Sequence, residues 1–156
     1  MSELPLIGLV EDSRLWSIRP YEETDKNFIV YSICASSKSS PDGLVARAPS
    51  EKLAAQSHWL YVEKIAQKLV ETCDVTVAEA EVDGSKVIVG YVISEGDNVV
   101  HYVLTRRKFQ KMGIAKDLLA PFEGKEVSYS LRPSTKGLPI PESWRYVPWH
   151  WLKHFK

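Results

Sequence analysis

Apolar positions recur along this chain at two periods, and the switches between them mark its elements. Leu15 to Arg19 reads as a short strand closed by Pro20. Thr24 or Asp25 can then cap a helix with Phe28, Ile29, Ile33 and Cys34 on one side. Ser36 to Gly43, rich in Ser and holding Pro41 and Gly43, reads as a loop. From about Ser50 to Glu71, Ala55, Trp59, Val62, Ala66 and Leu69 recur at spacings of four and three. That spacing predicts a longer helix with one buried stripe.

The pattern then changes to a period of two. Val75 to Val82 faces Lys86 to Ser94 across Asp83-Gly84, a strong hairpin signal. Glu95 to Asn98 reads as a second turn, and Val99 to Leu104 as a third strand of an antiparallel meander. A helix opening at Gly113 and ending near Pro121 to Gly124 leads to a further strand, Glu126 to Leu131. A strand, a helix and a strand normally make a right-handed parallel crossover. The expected fold is therefore α/β with a mixed sheet, a meander followed by a β-α-β crossover. No internal repeat is visible, and residues 1–156 read as a single domain with its core over about 13–131 and an aromatic, Pro-rich segment over 132–156.

Composition narrows the function classes. A chain of 156 residues can bury most of the surface it exposes when unfolded, and 44% hydrophobic with 26% charged residues is ordinary for a globular protein. Twenty basic residues balance twenty acidic ones, so a general nucleic-acid binder is not expected. No stretch is long or apolar enough to span a bilayer, and Met1 to Pro5 has no basic start or secretion-type core. A cytoplasmic product without a membrane partner is the expectation. Cys34 and Cys73 match no metal or redox spacing and read as reduced thiols in or near the core. His150 and His154 are four apart, but no third ligand is in sight, so no metal site is expected.

The densest chemical signal is the run Thr105-Arg106-Arg107-Lys108-Phe109-Gln110-Lys111-Met112-Gly113-Ile114-Ala115-Lys116. It joins a strand to a helix start, where the first backbone N–H groups lack internal partners and the dipole adds partial positive charge. Gly113 allows close backbone approach by a bulky ligand, and Ala115 keeps it small. The form Gln110-x-x-Gly113-x-Ala115 resembles the pyrophosphate-binding loop of the GCN5-related N-acetyltransferases, and the order of elements over residues 13–131 looks like that fold. The resemblance implies acetyl-coenzyme A wedged where the fourth and fifth strands splay apart. It implies pyrophosphate contacts along the loop from Lys111 and Met112 through Gly113, Ile114, Ala115 and Lys116, mostly from backbone N–H groups. Gln110 takes the place of the family's Arg or Gln, and the backbone of Val103, Leu104 and Thr105 would hold the pantetheine arm. Arg106, Arg107 and Lys108 either reach the cofactor's phosphates or form a solvated loop.

Acetyl transfer to an amine requires that the amine lose a proton, that the carbonyl oxygen be stabilised, and that the departing thiolate be protonated. His101, one strand position before Tyr102 and just ahead of the loop, is the best-placed base, since it titrates near neutral pH. Strand alternation puts Tyr102 on the opposite face and puts Glu79 and Glu81 on a shared one. A core-edge histidine and two solvated glutamates are the plainer readings of the same residues. The family's late helix, with an Asn and a Tyr that protonates the thiolate, has no counterpart here. After Leu131 the chain runs through Pro133, Gly137, Pro139 and Pro141, and Tyr146 stands as a candidate acid outside the usual context.

Trp144, Trp149 and Trp151, with Tyr146 and Phe155, make the tail aromatic. Such a cluster lines a pocket, anchors a partner or another copy of the chain, or closes the core as a last strand pair, which is the expectation here. The compact size, the His101-Tyr102 pair and the proline-broken ending also resemble short acetyltransferase-like proteins of bacteriophages. Three readings follow. The first is an acetyl-coenzyme A-dependent N-acetyltransferase acting on a small-molecule or protein amine. The second is a catalytically silent interaction module of the same fold. The third is a DNA-modifying relative using Arg106, Arg107, Lys108 and Lys111 as a phosphate-facing edge.

Overall fold

In the computed structural model, which describes residues 15–37, 51–130 and 141–147, the alternating segments form one six-stranded mixed sheet. Its strands are β1 (Trp16–Pro20), β2 (Asp74–Val82), β3 (Ser85–Glu95), β4 (Val99–Thr105), β5 (Ser128–Tyr129) and β6 (Arg145–Tyr146), neighbours in that order. The first four are antiparallel; β5 runs parallel to β4, and β6 parallel to β5. The hairpin residues Asp83 and Gly84 both have positive φ, 52° and 81°, which matches the twist of the flanking strands.

Helices α1 (Lys26–Ser37) and α2 (Glu51–Thr72) cover one face, where Ile29, Ile33, Leu69, Val77, Tyr91 and Ile93 form a core. The short α3 (Ile114–Leu119), extended by a 3-10 turn at Ala120–Phe122, covers the other with Val89, Val92, Ile114, Leu118, Phe122 and Trp144. Val62, Ala66 and Leu69 of the expected α2 stripe are buried, while the side chains of Ala55 and Trp59 lie outside the described residues. No helix among the described residues is long and apolar enough to cross a membrane.

The entry to α1 differs from expectation. Asp25 is not its cap; a 3-10 turn, Glu23–Asp25, precedes the helix, and the Glu22 N–H donates to Asp25 Oδ2 at 2.8 Å. The carboxylate is turned towards Arg19, whose Nη1 and Nη2 donate to its two oxygens at 2.9 and 2.8 Å while Nε donates to Glu79 Oε2 at 2.9 Å. One guanidinium thus ties β1 to the α1 entry and to β2. Burial alone would raise the Asp25 pKa, but the Arg19 hydrogen bonds, the Glu22 N–H and the Arg19 charge outweigh it and lower the value.

Two interruptions of strand alternation shape the sheet. On β3 the register passes from Gly90 opposite Ala78 to Ile88 opposite Glu79, leaving Val89 as an extra residue. On β4 it passes from Tyr102 opposite Ile93 to Val100 opposite Ser94, leaving His101. Such bulges re-aim side chains. Val100 accordingly joins the α3 core and Tyr102 the α1–α2 core, although two strand positions normally share a face. His101 therefore sides with Tyr102, contrary to the alternation rule. Its ligating atom lies within 4.8 Å of that of Cys73, which packs against the α1–α2 core.

The last parallel strand is described only up to Ser130. In place of Glu126 to Leu131, only Ser128–Tyr129 pairs with β4, held by Ser128 N–H to Asn98 O (2.9 Å) and Ser130 N–H to Val100 O (3.1 Å). Leu131 lies outside the described residues, as do the loop segment 38–50, His150, His154, Trp149, Trp151 and Phe155. The expected last strand pair is, among the described residues, the single strand β6 beside β5, with Trp144 buried against Phe122.

Gly90 marks the tightest approach of α3. A Cβ there would lie 2.8 Å from the Leu104 carbonyl oxygen and 3.1 Å from Ile114 Cγ2, so backbone would have to move. Gly90→Ala is expected to destabilise the fold by about 1–3 kcal/mol, read from chemical denaturation. Removing Arg19 leaves the buried Asp25 without its main counter-charge, and Arg19→Met should cost about 2–4 kcal/mol by the same measurement. Because folding lowers the Asp25 pKa, its contribution is complete above the unfolded value of about 4 and is lost as pH falls through the folded value. The acid limb of a stability–pH profile should accordingly flatten in Asp25→Asn.

Candidate functional site

The chain leaves β4 at Thr105 and is caught at once by the β3 bulge, where the Arg106 N–H donates to Val89 O at 2.8 Å. A 3-10 turn, Arg107–Phe109, follows, closed by Phe109 N–H to Arg106 O at 2.8 Å. Gln110 is extended, Lys111 has φ 67°, and Gly113 has φ 99° and caps α3. Two left-handed positions within three residues turn the chain sharply into the helix, and only the second is a glycine. The Asp117 N–H donates to Gly113 O at 3.0 Å, so the N–H groups ahead of it in the first turn have no backbone partner among the described residues.

The turn is braced from β1. The Trp16 indole N–H donates to Asp117 Oδ2 at 2.8 Å, and its ring would stand 3.9 Å from a Cβ at Gly113. Trp16 and Asp117 were not evident as site residues in the sequence, since nothing local links two positions 101 apart. Arg107, Lys108, Lys111 and Lys116 are exposed, which gives the turn a cationic surface. Arg106 instead lies over the Phe28 ring at 5.5 Å and reaches Ile88 O at 3.4 Å.

Of the strand residues expected to hold a pantetheine arm, Val103 and Thr105 are buried and Leu104 is half-buried. The Thr105 Oγ1 is buried with no hydrogen-bond partner among the described residues. Gln110 turns back, its Nε2 donating to Thr105 O at 3.2 Å, and Met112 and Ala115 are half-buried. Among the described residues, β4 from Tyr102 to Thr105 has β3 on one side and no strand on the other. A cleft of 580 Å³ lies past the far end of α3, between Leu119, Phe122, Lys125, Pro141 and Trp144; of the loop residues only Lys116 lines it.

The acid–base candidates fall in separate places. His101 is wholly buried, its Nδ1 2.6 Å from Ser130 Oγ and its Nε2 2.5 Å from Glu95 Oε1. The Glu95 side chain keeps 23% of its surface, so this acid connects the buried ring with solvent. Sequence reasoning missed both partners: Glu95 read as a turn residue and Ser130 as an unremarkable strand position. Glu79 is bound to Arg19, Glu81 is exposed near the hairpin, and Tyr146 packs its ring 5.3 Å from that of Tyr129. The fold brings none of these three to His101.

No protein-family model and no curated protein sequence matches this chain. Among solved structures it is similar to one described as a GCN5-related N-acetyltransferase, "Aminotransferase, Class-II", from Rhodopseudomonas palustris, at 17% identity and a TM-score of 0.47. The match covers 70% of this chain and 64% of that one, so the chain spans less than two thirds of its neighbour's length. A likeness of that degree assigns neither family nor activity.

The Trp16 brace is open to test. Trp16→Phe keeps the ring near Gly113 and removes the indole donor to Asp117. Thermal unfolding should show a loss of about 1 kcal/mol, a drop of about 2–4 °C in Tm for a domain of this size.

Proposed function

We propose that the chain is an acyl-coenzyme A-dependent N-acyltransferase of the GCN5-related type, using acetyl-coenzyme A and an amine acceptor on a small molecule or protein. The observation that carries this reading is the β4 segment Tyr102 to Thr105, paired on one side only among the described residues and running directly into the Gly113 turn. A pantetheine arm is a chain of amides that can hydrogen-bond to a strand edge as another strand would. A pyrophosphate suits unpartnered N–H groups beside a glycine with φ 99°. The buried Thr105 Oγ1, without a partner among the described residues, fits the same ligand, because a polar group left alone in the interior costs free energy until something bonds to it. The meander, the two-pair parallel ladder and the exposed Lys108, Lys111 and Lys116 agree with this reading.

Bound acetyl-coenzyme A would supply an activated acetyl thioester. The chain's own part is to hold the cofactor at Val103 to Thr105 and Lys111 to Lys116, and to manage protons. The pair His101–Glu95 holds one proton between ring nitrogen and carboxylate, and Glu95 is the end that meets solvent. In this reading the amine's proton enters through Glu95, with His101 positioned by Ser130. Tyr146 and Glu81 are further acid–base candidates, to be ranked by Tyr146→Phe and Glu81→Gln.

Calorimetric titration of the full chain with acetyl-coenzyme A tests the cofactor site. Gly113→Val places a β-branched residue at φ 99° and against Trp16, and should weaken binding at least about tenfold. Equal affinity in the folded variant overturns the assignment.

A second reading, a catalytically silent interaction module, is favoured by the β1 edge. Leu15, Ile18 and Val82 are exposed there, and no strand covers the outer side of β1 among the described residues. Sedimentation of the full chain and of a chain lacking residues 144–156 distinguishes the two. A self-association lost with the tail, together with no acetyl-coenzyme A binding, supports the module.

A further inference from the structure

The fold gathers three metal-binding side chains that no spacing in the sequence connects. Cys73 follows the last turn of α2, Glu95 ends β3, and His101 is the extra residue of β4. One ligating atom from each lies within 4.8 Å of the other two. We infer that Cys73, Glu95 and His101 form a transition-metal site, with zinc as the best-suited ion. It lies on the α1–α2 side of the sheet and is separate from the Gly113 turn: His101 and Thr105 are four strand residues apart, roughly 13 Å along the chain.

The donor set decides the class of ion. A thiolate, an imidazole and one carboxylate suit zinc, which takes four ligands at about 2.0–2.3 Å, whereas magnesium and calcium call for oxygen donors. Three protein donors leave one position for water, the arrangement of a zinc site open to exchange.

The surroundings are also those of a metal-bound histidine. With Nε2 facing the other two donors, Nδ1 is 2.6 Å from Ser130 Oγ, so a proton on Nδ1 would be donated to that hydroxyl and would leave Nε2 free to ligate. Both Ser130 and His101 are fully buried, which fixes the ring, while Cys73 and Glu95 are partly exposed and give the ion a way in. Glu95 Oε1 and His101 Nε2 are hydrogen-bonded at 2.5 Å; ligands of one tetrahedral ion stand roughly 3–3.5 Å apart, so Glu95 would withdraw by under about 1 Å on binding. Its partly exposed side chain has room to do so. On ligation the thiol proton and the proton shared by Glu95 and His101 are both released to solvent, so binding is favoured by rising pH.

Cobalt(II) is the probe, titrated into the untagged, chelator-treated full chain and then displaced by zinc. One ion per chain should bind with a near-ultraviolet thiolate-to-metal absorption, and zinc should abolish that absorption. Cys73→Ser should remove the band, and Ser130→Ala should weaken binding by about 10–100-fold. Glu95→Gln, at a partly exposed strand end, serves as a second variant should Cys73→Ser fail to fold; it should also weaken binding and change the visible spectrum. Cys34→Ala and Gly113→Val should bind as the wild type does, which separates this site from the acyl-coenzyme A-binding turn; a bound ion would displace the proton role given above to His101 and Glu95. No cobalt uptake by the folded chain overturns the inference, as does a thiolate band that survives Cys73→Ser or an affinity unmoved by Glu95→Gln.

Discussion

An extra residue in a strand re-aims the side chains on either side of it, and His101 is that residue on β4. Much of the chemistry in this fold follows from that interruption. Up to Val100, β4 hydrogen-bonds to β5 and the sheet is continuous. From Tyr102 onwards β4 pairs with β3 alone among the described residues, and the edge it presents leads into the Gly113 turn. The same extra residue rotates His101 to the α1–α2 side, where Ser130, Glu95 and Cys73 meet it. One local irregularity thus assembles a polar cluster at this corner of the sheet.

The β3 bulge plays the complementary part. By leaving Val89 unpaired it frees a carbonyl for the Arg106 N–H and brings Gly90 beneath α3. A six-residue helix is too short to stand on its own hydrogen bonds. Its position comes from packing of Ile114 and Leu118 over Gly90, and from the Trp16–Asp117 bond across to β1. The Gly113 turn is therefore held from two strands as well as from its own ends. Such bracing is what a backbone-based ligand site requires, because N–H groups discriminate only when their directions are fixed.

Arg19 stands apart from this machinery. Its bonds to Asp25 and Glu79 join β1, the α1 entry and β2. Glu79 looked like a possible acid–base residue because it shares a strand face with Glu81, yet the carboxylate answers a neighbouring guanidinium. A strand period tells which face a residue occupies and nothing about which charge it will meet there.

The period-two segments, the Asp83-Gly84 hairpin, the Val62–Ala66–Leu69 part of the α2 stripe and the helix opening at Gly113 were legible in the chain, since each depends on neighbours within a few positions and on steric limits that act locally. The two bulges and the company kept by His101 depend on how the strands are laid side by side. A bulge arises from counting residues against a partner strand, so Tyr102 and His101 read as opposite-facing until β3 is laid beside them. Cys73, Glu95 and Ser130 carry no signal near His101 in the chain; they come together because α2, β3 and β5 end at the same corner of the sheet.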